Sequence, residues 1–150
     1  MFKHFLLPTD GSSLSDKATK KAIQLARMLG ANLTVLHVIE PYHPPLLKGE
    51  YKMPEIPVML KRRYEKESSE RASQILAEVK KAAAASGVRC SAVVAKNDSP
   101  HEAIIKQAEK SGCDVIVMAS HGRKGLSGIL LGSETQKVLT HCGIPVLVCR

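Results

Sequence analysis

Asp114-Val-Ile-Val-Met-Ala-Ser120 is the stretch on which the fold turns. Val115 to Ala119 is apolar without a break, so a strand here has no polar face to give to water. A strand apolar on both sides belongs in a parallel sheet covered by helices on both faces. Working outward, Phe2 to Pro8, Leu33 to Ile39, Val88 to Ala95 and Pro145 to Cys149 read as four further strands, rich in branched residues and bounded by turn residues. Between them lie segments with the period of amphipathic helices. Leu14 to Leu29 has apolar residues at 14, 18, 22, 25, 26 and 29, with Ser13 as N-cap, Asp16 three residues on and Gly30 as the stop. A second helix is expected from about 58 to 86, through Leu60, Tyr64, Ala72, Ile75, Leu76, Val79 and Ala83, ended by Gly87. A third starts at Ser99-Pro100 and runs to about Ser111-Gly112, and a fourth covers Glu134 to His141.

The order is therefore βαβαβαβαβ. Right-handed crossovers turn it into a single open, doubly wound α/β domain over 1–150, with five parallel strands in a Rossmann-like arrangement. Residues 41 to 57 hold five of the eight prolines and read as one long loop inside that domain, not as continuous helix or central strand. No linker or internal repeat divides the chain.

Composition narrows the function. The 150 residues are 44% hydrophobic and 24% charged, which excludes disorder over the whole chain and a disulfide-dependent scaffold. No apolar run reaches the roughly 20 residues of a membrane helix. Met1 to Pro8 is too short and too soon polar for a secretion signal, so a cytoplasmic location is expected. The formal charge of +8 favours anionic partners. Aromatic content is only 3% and Trp is absent, which argues against stacking on nucleic acid. The densest basic run, Lys61-Arg62-Arg63, is followed by Glu65 and Glu67 and reads as a solvated helix face. Cys90, Cys113, Cys142 and Cys149 form no C-x-x-C pair and read as small buried hydrophobes.

In an open parallel sheet a ligand sits beyond the C-terminal ends of the strands, at the switch in strand order. Loops leaving the strands at Thr9-Asp10, Val38 to Glu40, Lys96-Asn97-Asp98 and Ala119 to Gly122 are expected to converge there. The richest runs from Ala119 to Ser133, with glycines after a strand and again before a helix. Glycines let backbone amides approach an anion closely, and a helix starting near Gly132-Ser133-Glu134 offers unpaired N–H groups and a partial positive charge suited to phosphate. Arg123 and Lys124 could add counter-charge. Ser133 reads either as a phosphate ligand or as a plain N-cap with Gln136 completing a capping box. Asp10 reads as a turn residue or as a carboxylate touching base, ribose or a magnesium-bound water, and His121 as a turn residue or an acid/base group. Gly11 to Lys17 fails as a P-loop, because Asp16 and Ala18 stand where Gly and Ser or Thr are needed. No G-x-G-x-x-G and no G-x-S-x-G occurs.

Phe5-Leu-Leu-Pro-Thr-Asp-Gly-Ser12, Leu36-His-Val-Ile39, Met118-Ala-Ser-His-Gly-Arg-Lys-Gly-Leu-Ser-Gly-Ile-Leu-Leu-Gly-Ser-Glu-Thr135 and Pro145-Val-Leu-Val148 together resemble the universal stress protein family, over almost the whole chain. The family's ATP-binding branch has Gly, two residues, Gly, nine residues, then Gly with Ser or Thr. Gly122, nine residues and Gly132-Ser133 match it, while Ala119 replaces the first glycine and would exclude φ values that only glycine adopts easily. The resemblance implies an adenine nucleotide alpha-hydrolase-like fold with a cleft for ATP. Pro8, Thr9 and Asp10 would lie at the base and ribose end and Val38 at adenine. Ala119 and Gly122 would approach ribose and phosphates, and Met118, His121 and Arg123 would also belong to the nucleotide site. Gly132, Ser133, Glu134 and Thr135 would line the phosphate end, the first three holding phosphates through N–H groups and the Ser133 hydroxyl. Magnesium would be held mainly by the phosphates.

It also implies a homodimer that pairs the last strand, 145–149, across a two-fold axis. The function implied is a nucleotide-dependent regulator of the stress response with at most slow hydrolysis. Two others stay open: a nucleotide hydrolase or transferase using Asp10 and His121, and a dimeric interaction module that binds no nucleotide.

Overall fold

A computed structural model describes residues 1–44, 56–122 and 131–150, with backbone alone at 56 and 57. The strands are β1 (His4–Pro8), β2 (Asn32–Ile39), β3 (Cys90–Lys96), β4 (Val115–Ala119) and β5 (Val146–Cys149). The helices are α1 (Ser13–Leu29), α2 (Ile56–Ala85), α3 (Pro100–Lys110) and α4 (Ser133–His141). The sheet runs β3-β2-β1-β4-β5 with every pair parallel, for example Leu7 beside Val35, Leu6 beside Ile116 and Met118 beside Val148.

Strand alternation divides the core into two layers. Phe5, Leu7, Leu33, Val35, Val115 and Val117 pack with Ala18, Ala22 and Ala26 of α1 and with Leu76, Val79 and Ala83 of α2. Leu6, Leu36, Ile116 and Met118 pack on the other side with Ile104 and Ala108 of α3 and Val138 of α4. Each large side chain removed from water contributes roughly 1.5–3 kcal/mol, which is why β1, β2 and β4 dominate the core. The outer strands are covered only in part: Val94 on β3 and Leu147 on β5 stay exposed.

The element order matches the expectation from periodicity, and the boundaries move by small amounts with physical reasons. The N-cap of α1 is Ser12, one residue before Ser13, and its hydroxyl accepts from the Ser15 amide. Helix α2 begins at Ile56, inside the stretch read as loop. Pro57 then lies in the first turn, where its missing N–H leaves no bond unmade. Residues 45–55 of that stretch lie outside the described residues. The basic run on α2 is solvated as expected, with Arg63 Nε donating to Glu67 Oε1 at 2.7 Å. Of the four cysteines only Cys113 and Cys149 are buried; Cys90 and Cys142 are half-buried because the edge strand β3 and the end of α4 are open to solvent. No described helix is long and apolar enough to cross a membrane.

From β1 the chain moves to β2 and then β3 on one side, and it returns through β4 to β5 on the other. The direction of winding therefore reverses between β1 and β4. The loops after these two strands splay to opposite layers and leave a crevice at their C-terminal ends.

Candidate functional site

A cavity of about 730 Å³ opens in that crevice, a size suited to a small organic ligand. The ends of β1, β2 and β4 form its base. The Thr9 amide donates to Leu36 O at 2.9 Å, and His37 Nδ1 donates to Thr9 O at 2.8 Å, which ties β1 to β2 at the rim. Asp10 Oδ1 accepts from the Ser12 amide at 3.0 Å and from Ser15 Oγ at 2.8 Å, so the carboxylate is anchored on the first turn of α1.

The start of α4 is fastened to the exit of β4. The Gly132 amide donates to Ser120 O at 2.7 Å. Thr135 Oγ1 donates to Ala119 O at 3.1 Å and lies 3.4 Å from Ser120 O. The approach is tight for any residue but glycine: a Cβ on Gly132 would lie 3.2 Å from Ser120 O and 3.3 Å from His121 Cα, and that backbone would have to give by a few tenths of an ångström. A Cβ on Gly122 would lie 2.6 Å from Asp10 Oδ2, which holds the turn after β4 against the acid after β1. The α4 turn that faces the cavity presents the amides of Ser133, Glu134 and Thr135, which have no acceptor within the helix by virtue of their position.

Two expectations about this turn are corrected. Gly132, not Ser133, is the N-cap and brings no side chain to cap with, and the Gln136 amide donates to Gly132 O at 3.0 Å, so the Ser133–Gln136 capping box does not form. Gly132 also has no amide left for a ligand, because Ser120 O accepts it. Its contribution is the missing side chain.

The one acid in this turn is directed elsewhere. Glu134 Oε2 accepts from the His101 amide at 2.8 Å and lies 3.2 Å from His101 Nδ1, while Lys137 Nζ donates to Oε1 at 2.9 Å. Partial burial works against the charge, but Lys137 and the His101 amide and ring outweigh it and hold the carboxyl below its ordinary value. His121 bonds through Nδ1 to Ser120 Oγ at 3.1 Å, and its buried Nε2 has no partner among the described residues.

Ala119 ends β4 with its methyl in the layer shared with α1 and α2. No described residue other than glycine has positive φ, so the backbone conformation at this position does not call for glycine.

Pro8, Thr9, Asp10, Val38, Met118, Ala119, His121, Gly122, Gly132, Ser133, Glu134 and Thr135, all singled out from sequence, line this cavity. Arg123, with Lys124, lies outside the described residues. The loop Lys96 to Asp98 was expected here and is not among the lining residues; β3 is an edge strand, and Asp98 pairs with His43. Pro100 and Ile104 of α3 line the cavity instead. Sequence reasoning also missed Tyr64, Ser68 and Arg71, which form a wall on α2. Their spacing at i, i+4 and i+7 was a usable signal that they share one helix face.

The chain matches the model of the Universal stress protein family over residues 1–150. It is 37% identical over 150 residues to a universal stress protein of Thermus aquaticus encoded in a QAH/OAS sulfhydrylase 3′ region, covering 100% of both chains. It is 30% identical over 156 residues to universal stress protein MJ0577 of Methanocaldococcus jannaschii, covering 100% of this chain and 96% of the relative. The solved structure of MJ0577 superposes with a TM-score of 0.80 over 99% of this chain and 96% of that one. A universal stress protein solved in complex with cAMP shares the fold at 22% identity, with a TM-score of 0.68 over 99% of this chain and 97% of that one.

Proposed function

The chain belongs to the universal stress protein family, and we propose that its crevice binds ATP and that the protein acts as a nucleotide-dependent regulator in the cytoplasmic stress response. The observation that carries this reading is the fastening of α4 to β4 by the Gly132 amide on Ser120 O at 2.7 Å. It aims the open amides of Ser133, Glu134 and Thr135 into the cavity at the positive end of a helix, an arrangement suited to phosphate. The Ser133 hydroxyl stands beside them. Gly122 lets the turn after β4 pack against Asp10, and Gly132 lets the start of α4 pack against Ser120 and His121. Asp10, Thr9 and Val38 sit at the ends of β1 and β2, where ribose and base would lie. When ATP is bound, magnesium held mainly by its phosphates would supply further counter-charge. The adenine nucleotide found with the cAMP-bound relative is in keeping with this ligand class.

Hydrolysis in such a site is slow at most. Asp10 is anchored through Oδ1 on the Ser12 amide and the Ser15 hydroxyl, and Nε2 of His121 is enclosed, which supports a site that positions phosphates more than it activates water. The same reading includes a homodimer in which β5 pairs with its copy. That pairing would satisfy an edge strand whose Leu147 is exposed. The direct test is mass spectrometry of the denatured protein after purification from cells. An adenine nucleotide in stoichiometric amount supports the reading, and a ligand-free chain that also fails to take up ATP in calorimetry contradicts it.

A further inference from the structure

The α2 wall of the cavity has a chemistry that the phosphate-binding turn of α4 does not explain. Tyr64, Ser68 and Arg71 lie on one face of α2 and all reach the cavity. The wall is held in place: Tyr64 Oη donates to Glu40 O at 2.7 Å, and its ring lies 5.5 Å from that of Tyr42. Among the described residues that line the cavity, Arg71 is the one permanent cation, against the carboxylates of Asp10, Glu40 and Glu134. Those carboxylates do not take it. Glu134 is committed to His101 and Lys137, Asp10 Oδ1 is committed to α1, and Arg71 forms no ion pair or hydrogen bond among the described residues. A guanidinium is a planar fork of donors matched to two oxygens of a phosphate, and a neighbouring hydroxyl adds a third donor.

Resting on the nucleotide reading, we propose that Arg71, assisted by Ser68, is a second phosphate-binding point. The bound polyphosphate would then be clamped from both layers of the fold. The amides of α4 come from the layer that contains Val138, and Arg71 comes from the layer that contains Leu76 and Val79. This assigns to α2 a role in ligand selection: the wall favours ligands that carry an anionic chain over the nucleoside alone.

Calorimetry with ATP and with adenosine tests this on wild type, Arg71→Ala and Arg71→Lys, with melting of the ligand-free proteins as the check on folding. Loss of a charge-assisted contact is expected to weaken ATP about tenfold or more. Adenosine affinity should stay within about twofold, the melting curve should be unchanged, and Arg71→Lys should recover part of the loss because charge is kept and the fork is not. The salt dependence of ATP binding should also become shallower in Arg71→Ala. An ATP isotherm for Arg71→Ala that superimposes on wild type overturns this inference and leaves the nucleotide reading standing. An equal loss for adenosine and ATP also overturns it, by placing Arg71 at the base or in the scaffold. Wild type that binds neither ligand overturns the nucleotide reading and the clamp together.

Discussion

The Glu134 carboxylate accepts from the His101 backbone amide at 2.8 Å, so the first turn of α4 caps the first turn of α3. Ser99, the residue in N-cap position on α3, makes no side-chain cap bond, and the acid from the neighbouring helix takes that place. The contact links the turn that faces the cavity to the layer beneath it and keeps a negative charge turned toward α3. Glu134→Ala is expected to destabilise the fold by about 1–2 kcal/mol, the range of a lost charged cap. Urea denaturation of the variant and wild type measures it; equal midpoints would mean the cap contributes nothing.

The same contact sets an acid limb. The folded carboxyl titrates below its ordinary value of 4.5, so its stabilisation is complete at neutral pH and is lost as pH falls through that value toward the folded one. Glu134→Gln, which removes the charge at nearly constant size, should flatten the decline. Thermal melts across an acid series give the slope directly.

Gly132→Val should abolish ATP binding and leave the oligomeric state untouched. Its Cβ alone would press on Ser120 O at 3.2 Å and His121 Cα at 3.3 Å, both backbone atoms, so the α4 turn must shift away from β4. Calorimetry and light scattering on the same sample read both consequences, and unchanged affinity would remove this turn from the site.

Ala119→Gly restores the family's glycine, yet it is expected to leave ATP affinity within about twofold of wild type. The backbone here is ordinary strand, and the methyl lies in the core layer of α1 and α2. The cost falls on stability, at about 0.5–1 kcal/mol for a glycine in regular structure. A large gain in affinity would show that the methyl obstructs the ligand after all.

Leu147→Lys should give monomer by light scattering with an unchanged circular dichroism spectrum. Leu147 is exposed on the edge strand β5, whereas Val148 is partly covered, so a charge at 147 disturbs pairing without disturbing the core. A persistent dimer would place the interface elsewhere.

Much of this was legible because burial imposes a period. The uninterrupted apolar run at Val115 to Ala119 announced a central strand, and all five of its residues are buried. Helix caps were read one residue off at Ser13 and Ser133, since runs such as Ser12-Ser13 and Gly132-Ser133 offer two chemically suitable neighbours and only the backbone turn selects one. Of the α2 wall, the shared face of Tyr64, Ser68 and Arg71 was legible from their spacing, and what that face looks onto was not. Tyr64 and Arg71 sit in a charged helical stretch, and a position on a solvated face looks the same in sequence as one that overhangs the end of a sheet. Lys96 to Asp98 failed for the converse reason: a strand end reaches the crevice only if its strand lies near the switch point, and β3 lies at the edge.

The most direct measurement is a crystal structure of the protein grown with ATP and magnesium. Density for the phosphates is expected against the amides of Ser133, Glu134 and Thr135, with the base at the end of β2 near Val38. An empty crevice at saturating ATP, or nucleotide bound away from the first turn of α4, would contradict it.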